Sequence, residues 1–377
     1  MARGRPHLLV ICNWDRFFVS HWRTRVEAAA ADGFAVTVAL PTPVTLAEGI
    51  AQRTFPLNRK GRSPVEEARS WLALHSLVRD VRPDLVQTIT IKPNLYVGTA
   101  LRAVGDETPL LMTVTGFGTA FLDASLPGRV QRAAVVAAFR FAAGRPRTAV
   151  AFENDEDADT FRRFGIGRED RRFVLPGSGV DLARFDATAL PDAGVPIVVL
   201  PGRMLRDKGI GEFVEASRRL KSAGVAARMV LVGGVDEGNR TAIPAATLAR
   251  WQDEGLVEWW GLRHDMPDVL ARASIVCLPS YREGLPMALV EGAAAGRPLV
   301  ATDVPGCRAV ARPGRSGVLV GVRDGAALAD GLAALLTDPM ERSRLGAGAR
   351  AMAEAEYALP VARERTLAAY RAMLEAR

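Results

Sequence analysis

The chain is predicted to be an α/β protein made of two doubly wound parallel-sheet domains, on three observations. Short apolar, strand-like runs alternate with helix-period segments from one end to the other, the pattern of parallel strands joined by crossover helices. At 377 residues the chain is too long for one ordinary core, so two domains of similar size are expected. Between them, Leu175 to Asp181 and Pro191 to Pro196 are crowded with turn residues and read as a hinge. The implied division is 1–180, 181–358 and a last helical segment, 359–377, placed to cross back to the first domain.

Taken in order, strands are expected at 8–12, 35–40, 85–88, 110–114, 149–152 and 173–175, each a run of apolar and β-branched residues. Helices are expected at 20–31, 65–80, 129–143 and 156–164. The second half repeats the alternation, with strands at 197–200, 229–232, 257–259, 275–278, 299–301 and 317–320. A clean amphipathic helix is expected at 210–222 and another at 360–377.

Composition narrows the function. Apolar residues make up 49% and charged residues 24%, which are globular proportions. The N-terminus enters the strand at 8–12 without a long apolar leader, and no run reaches the roughly 18 residues of a spanning helix. A cytoplasmic protein is expected, with any membrane contact peripheral. Cys12, Cys277 and Cys307 are too scattered for a disulfide framework or a metal cluster. Net charge is +7, yet residues 1–150 hold 19 Lys+Arg against 11 Asp+Glu, so the basic surplus belongs to the first half. Such a surplus attracts nucleic acid, acidic lipid or a diphosphate-linked substrate. No zinc-finger, ribonucleoprotein or basic-zipper pattern supports nucleic acid.

Two motifs carry the chemistry. Gly202-Arg203 and Lys208-Gly209 follow the strand at 197–200 and precede a helix, so two cations bracket a helix start whose free amides already favour anions. A diphosphate fits there, gripped by Arg and point-charged by Lys. The glycine spacing is not that of a Walker loop. The second motif places Glu283 in a glycine-bearing turn after the strand at 275–278, with Pro286 opening a helix, Glu291 on it and Gly296 stopping it. Carboxylates at the carboxyl edge of a parallel sheet face the crevice where such sheets bind ligands, and they accept hydrogen bonds from hydroxyls such as a sugar offers. The plain alternatives are two solvated glutamates and two solvated cations. Asp155 and Asp157 satisfy a metal-binding spacing but read as an acidic helix start.

Together, Gly202-Arg203, Lys208-Gly209, Glu283-Gly284-Leu285-Pro286, Glu291 and Thr302-Asp303-Val304-Pro305-Gly306 resemble the retaining family-4 glycosyltransferases, whose GT-B fold has two Rossmann-like domains facing across a cleft. Further stretches resemble the bacterial branch acting on lipid-linked polysaccharide and glycan precursors: Phe17 to His21, Thr90-Ile91-Lys92-Pro93-Asn94, Thr115-Gly116-Phe117-Gly118, Phe152-Glu153-Asn154-Asp155, Gly177 to Asp181 and Trp259-Trp260-Gly261.

The resemblance implies a hexose or N-acetylhexosamine passed from a UDP-sugar to a polyprenyl-pyrophosphate-linked saccharide, with no metal cofactor. Arg203 and Lys208 would neutralise the diphosphate, Glu291 would take the ribose hydroxyls, and Glu283 the sugar hydroxyls. Gly202, Gly284, Leu285 and Met287 would steady sugar and phosphate, and Leu262 and Arg263 would lie against the base. His21, Gly116, Phe117 and Gly118 would serve the acceptor. Two departures stand out. Many members have a glycine pair where this chain has Asn13-Trp14-Asp15-Arg16, and many have a histidine where it reads Thr113 to Gly116. His21 is therefore the histidine expected to act, on the acceptor pyrophosphate or near the donor sugar, with a histidine that only caps a helix N-terminus as the plain alternative.

Aromatic Trp14, Phe17, Phe18, Phe117 and Phe121, with Arg129, Arg132, Arg140, Arg145 and Arg147 nearby in sequence, suit a lipid pyrophosphate at the inner face of the cell membrane. Core packing is the alternative for each aromatic. Rival readings are the same fold on a soluble acceptor, a nucleotide-sugar epimerase, and a non-catalytic protein holding anionic membrane or nucleic acid. The lack of a G-x-G-x-x-G after the first strand argues against a dinucleotide oxidoreductase.

Overall fold

The protein is described by a computed structural model covering residues 4–58, 61, 63–116, 125–185 and 194–375. Its first compact unit comprises residues 1–178 and 362–377, and its second residues 179–361.

The first unit opens with β1 (His7–Cys12), α1 (Asp15–His21), α2 (Arg23–Ala31), β2 (Ala35–Leu40) and β3 (Ala51–Thr54), then α3 (Pro64–Val81), β4 (Leu85–Ile89) and α4 (Ile91–Ala103). It continues through β5 (Leu110–Val114), α5 (Leu126–Ala143), β6 (Thr148–Phe152), α6 (Asp155–Arg163) and β7 (Arg172–Val174). All seven strands pair in parallel, in the order β3, β2, β1, β4, β5, β6, β7. Because side chains alternate along a strand, Leu8, Val10 and Cys12 enter one core layer while Leu9 and Ile11 enter the other. Burial on both faces is why these strands read as continuous apolar runs.

The second unit repeats the plan. It runs through β8 (Ile197–Pro201), α7 (Ile210–Ser222), β9 (Arg228–Val232), α8 (Ala245–Asp253), β10 (Glu258–Trp259), α9 (Met266–Arg272) and β11 (Ile275–Leu278). Then come α10 (Met287–Ala294), β12 (Leu299–Thr302), α11 (Pro305–Val310), β13 (Gly317–Val320), α12 (Gly325–Thr337) and α13 (Pro339–Met352). Six parallel strands lie in the order β10, β9, β8, β11, β12, β13. Val198 and Leu200 face one layer, and Ile197 and Val199 the other. The predicted pair of doubly wound sheets is thus borne out. In each, the first strand is central and the chain reverses direction beside it, between β1 and β4 and between β8 and β11.

Two local differences have physical causes, and one local expectation holds. The helix expected at 20–31 is two helices, broken at Trp22 (φ −124°), whose ring is almost fully buried, so His21 ends α1 rather than opening a helix. Strand β3 carries no apolar alternation because it is a largely exposed edge. The acidic run at Asp155 begins α6, with Asn154 Oδ1 accepting the Asp157 N–H at 2.8 Å, a helix cap.

The last helix, α14 (Leu359–Glu375), sends Leu367, Ala369, Tyr370 and Met373 into the core layer of Leu8 and Val10. The buried Tyr370 hydroxyl donates to Gln87 Oε1 at 2.5 Å, and Gln87 Nε2 donates to Thr113 Oγ1 at 2.9 Å. Arg371 grips both Asp32 oxygens at 2.9 and 2.8 Å. Tyr370→Phe leaves the Gln87 oxygen buried without a donor. It is expected to cost about 1–3 kcal/mol, read as a lower urea midpoint, whereas an unchanged midpoint would show that the bond carries no stability.

Candidate active site

The second sheet builds the charged site at its switch point. Strands β8 and β11 are neighbours whose following segments leave in opposite directions, so the loops after them flank the crevice at the carboxyl edge. Lys208 follows β8 and Glu283 follows β11, and the ammonium donates to Glu283 Oε1 in a close ion pair. Both side chains are largely covered, at 22% and 12% exposure, where a charge pair is screened less than on open surface.

Close backbone approach makes this possible. Gly209, at φ +74°, would place a Cβ 2.1 Å from the Pro279 carbonyl, so no larger residue fits beside the β11 loop. The Tyr281 N–H donates to the Asp207 carbonyl at 2.9 Å, fastening the same two loops. Gly233 ties the next pair: at φ +155° its Cβ would fall 1.7 Å from the Gly202 carbonyl, and its N–H donates to Gly261 at 2.8 Å.

Around this frame, Arg203 is exposed and pairs with Asp236 at 2.8 Å. Gly284 and Met287 are half-buried and Leu285 is buried, in the turn leading into α10 and at its start. Glu291 sits in the second turn of α10, half-buried, and burial pushes its carboxyl up to about 7, against the opposing pull of Arg184. Leu262 is 67% exposed beyond β10, and Arg263 beside it donates to Asp265 at 2.8 Å.

Sequence reading missed Asp236, the carboxylate that holds Arg203. It also missed a cluster in which the Tyr281 hydroxyl donates to Glu212 at 2.7 Å while the Arg323 guanidinium lies 4.7 Å from the tyrosine ring. Asp236 follows Gly233-Gly234 just after a strand, a glycine signal that marks a carboxyl-edge loop. The Tyr281 cluster joins positions far apart in sequence and left no such signal.

The remaining candidates belong to the first unit. His21 closes α1, its ring stacked on Phe17 with centroids 4.4 Å apart. Ser20 Oγ donates to the Arg16 carbonyl at 2.8 Å and lies 2.6 Å from His21 Nδ1. With the hydroxyl proton so placed, Nδ1 carries the ring proton and Nε2 is left as the acceptor. Burial, with Arg25 nearby, pulls the His21 pKa down to about 4, so the ring is neutral near pH 7. Gly116 lies just past β5 at φ +126°, while Phe117, Gly118 and Phe121 fall outside the described residues. In the same unit, just past β4, Thr90 adopts φ +77°, rare for a β-branched residue, and donates to Asn13 Oδ1 at 2.7 Å. Phe18 is fully buried core, and Arg145 is also buried, bound to the Thr108 carbonyl at 2.9 Å, so neither forms part of an exposed aromatic or basic surface.

Two family models match the chain. One described as "Glycosyl transferase 4-like" matches residues 7–144, and "Glycosyl transferases group 1" matches residues 195–338. The chain belongs to the family-4 glycosyltransferases of the GT-B fold. It is 24% identical over 311 residues, 80% of each chain, to the N,N'-diacetylbacillosaminyl-diphospho-undecaprenol alpha-1,3-N-acetylgalactosaminyltransferase of Campylobacter jejuni. In fold this glycosyltransferase is similar to sucrose-phosphate synthase from Thermosynechococcus elongatus, with a TM-score of 0.80, 19% identity and coverage of 99% and 100% of the two chains. It is likewise similar to Anabaena HepE in complex with UDP and glucose, at a TM-score of 0.73, 16% identity and coverage of 97% and 99%. No helix among the described residues is long and apolar enough to cross a membrane.

Glu291 yields a pH prediction. A carboxyl raised from 4.5 to about 7 on folding favours the folded state below its unfolded pKa, and that contribution is lost as pH climbs from 4.5 through 7. The loss has a ceiling of about 3 kcal/mol, reduced by solvent access. Glu291→Gln is therefore expected to flatten the fall in thermal stability between pH 5 and pH 8. An identical pH profile in the variant would show that Glu291 is not the group responsible.

Proposed function

We propose that this enzyme is a retaining glycosyltransferase that moves a hexose or N-acetylhexosamine from a UDP-sugar to a polyprenyl-pyrophosphate-linked saccharide in polysaccharide or glycan biosynthesis. It works as a cytoplasmic protein associated peripherally with the inner face of the cell membrane. The observation that carries the reading is the Lys208–Glu283 pair at the switch point, flanked by Arg203 and by Glu291. The names of its relatives support donor and acceptor class: one acts on a diphospho-undecaprenol sugar, and another was solved with UDP and glucose.

The roles follow from charge and reach. Lys208 and Arg203 bear the donor diphosphate, and their attraction grows as the sugar C1–O bond breaks and negative charge collects on the leaving phosphate. Glu283 accepts sugar hydroxyls while still touching Lys208, and Glu291 accepts those of the ribose. Gly202, Gly284, Leu285 and Met287 frame sugar and phosphate, with Leu262 and Arg263 along the base. The acceptor hydroxyl forms its new bond to C1 on the face the UDP leaves, and its proton passes to the departing phosphate oxygen. On the acceptor side, Gly116, Phe117 and Gly118 contribute to binding. His21 acts there through its unprotonated Nε2 as a hydrogen-bond acceptor, since a neutral imidazole brings no positive charge to a pyrophosphate.

Thermal unfolding with UDP, GDP and ADP tests the donor side, because a ligand that binds only the folded state raises the melting temperature by mass action. UDP alone is expected to stabilise the wild type, and Arg203→Ala/Lys208→Ala to abolish the shift. Lys208→Ala alone is expected to lower kcat/KM by about 10²–10³. No shift with any nucleotide would remove the mechanism. Because the two cations carry the diphosphate without a metal cofactor, EDTA is expected to leave turnover intact, and proton NMR of the product should show the donor's anomeric configuration. An inverted product or a chelator-sensitive reaction would refute those parts.

A further inference from the structure

Helix α5 turns an unusual face outward. Leu126 is 73% exposed, Val130 64% and Phe141 46%. At 100° per residue these three and the exposed Ala133, Ala134 and Ala137 fall within an arc of about 100°. The opposite side of the helix is the one that packs inward, through Val136, Phe139, Ala142 and Ala143. One helix therefore carries two apolar faces, and only one of them is used by the core.

Charge selects the occupant. The helix contains no acidic residue. Arg129 and Arg140 border the outward stripe, and the Arg102 guanidinium of α4 lies 4.9 Å from the Phe141 ring. An apolar strip edged by guanidinium groups matches the boundary of an anionic bilayer, where acyl chains take the strip and lipid phosphates take the cations. Arg145, close by in sequence, is buried and adds nothing to this edge.

We propose that α5 is the membrane-docking element of this enzyme, lying in the plane of an anionic bilayer with Leu126, Val130 and Phe141 in the acyl boundary. This deepens the membrane part of the proposed function and rests on it. The stripe would bring the first unit to the surface that holds a lipid-linked acceptor.

Vesicle flotation of the full chain tests the docking without donor or acceptor. Wild type is expected to float with equimolar phosphatidylglycerol and phosphatidylcholine, to stay behind with phosphatidylcholine alone, and to be released by salt. Val130→Ser/Phe141→Ser is expected to weaken partition by at least about ten-fold, and Arg129→Ser by about five-fold with a shallower salt dependence. These side chains are exposed, so circular dichroism and melting temperature should be unchanged. Equal flotation of variants and wild type, or no flotation of the wild type, would overturn the proposal. So would a wild-type dimer that Val130→Ser/Phe141→Ser converts to a monomer, because the stripe would then belong to a second copy. Loss of flotation with the UDP shift intact would locate the defect in docking, whereas loss of the UDP shift with flotation intact would sink the transfer reading alone.

Discussion

A parallel sheet covered on both faces leaves its ligands only one place to go, and everything at this site depends on that. Strand faces are filled by the alternating core layers, so free polar groups collect where strands end and helices begin. Between β8 and β11 the chain leaves the sheet in opposite directions, and the gap receives Lys208 from one loop and Glu283 from the other. Gly209 lets these two loops close to within hydrogen-bonding distance of one another, and the ion pair follows from their contact, while Gly233 does the same for the β8 and β9 loops. A side chain at Gly209 would separate the cation from the carboxylate before it altered any chemistry.

Both units share this geometry yet furnish it differently. The second places Lys208, Arg203, Glu283 and Asp236 beside its switch point, a set of charges that answer one another. The first unit's switch point mixes charged and neutral groups: Asp15 and Arg16 open the helix after β1, Asn13 accepts from Thr90, and His21 on that helix is held uncharged by burial. Thr90 keeps its φ of +77° at a cost of about 1–3 kcal/mol. The paired cations and carboxylates of the second edge thus have no counterpart of the same make-up in the first.

Strand positions were legible because burial on both faces writes itself as unbroken apolar runs: 35–40 and 275–278 match β2 and β11 to the residue. What escaped notice lacked that signature. Strand β3 is an exposed edge with the sequence Ala-Gln-Arg-Thr, and the break at Trp22 is set by where an indole fits the core rather than by local propensity. The charged motifs showed themselves through adjacent glycines, which mark loops at the carboxyl edge. Their partners did not, since the pairing of Arg203 with Asp236 or of Tyr281 with Glu212 depends on which loops the sheet order makes neighbours.

The basic surplus of the first 150 residues is also less uniform than counting suggests. Arg25 is fully buried, its guanidinium 4.5 Å from the Trp22 ring, and burial lowers its pKa to about 10 even with Glu153 and Tyr370 nearby. Arg145 is buried too, binding backbone carbonyls that close the chain between α4 and β5. Arg145 fills a structural position where a planar donor satisfies several acceptors, a task that lysine performs poorly, while Arg25 is held against the indole face of Trp22. In a chain with 45 arginines and four lysines, structural and surface arginines cannot be told apart by composition. Exposure separates them. The surface cations Arg129 and Arg140 border the one helix face of α5 that the core does not use, so the charge asymmetry gains a direction only once the buried arginines are set aside.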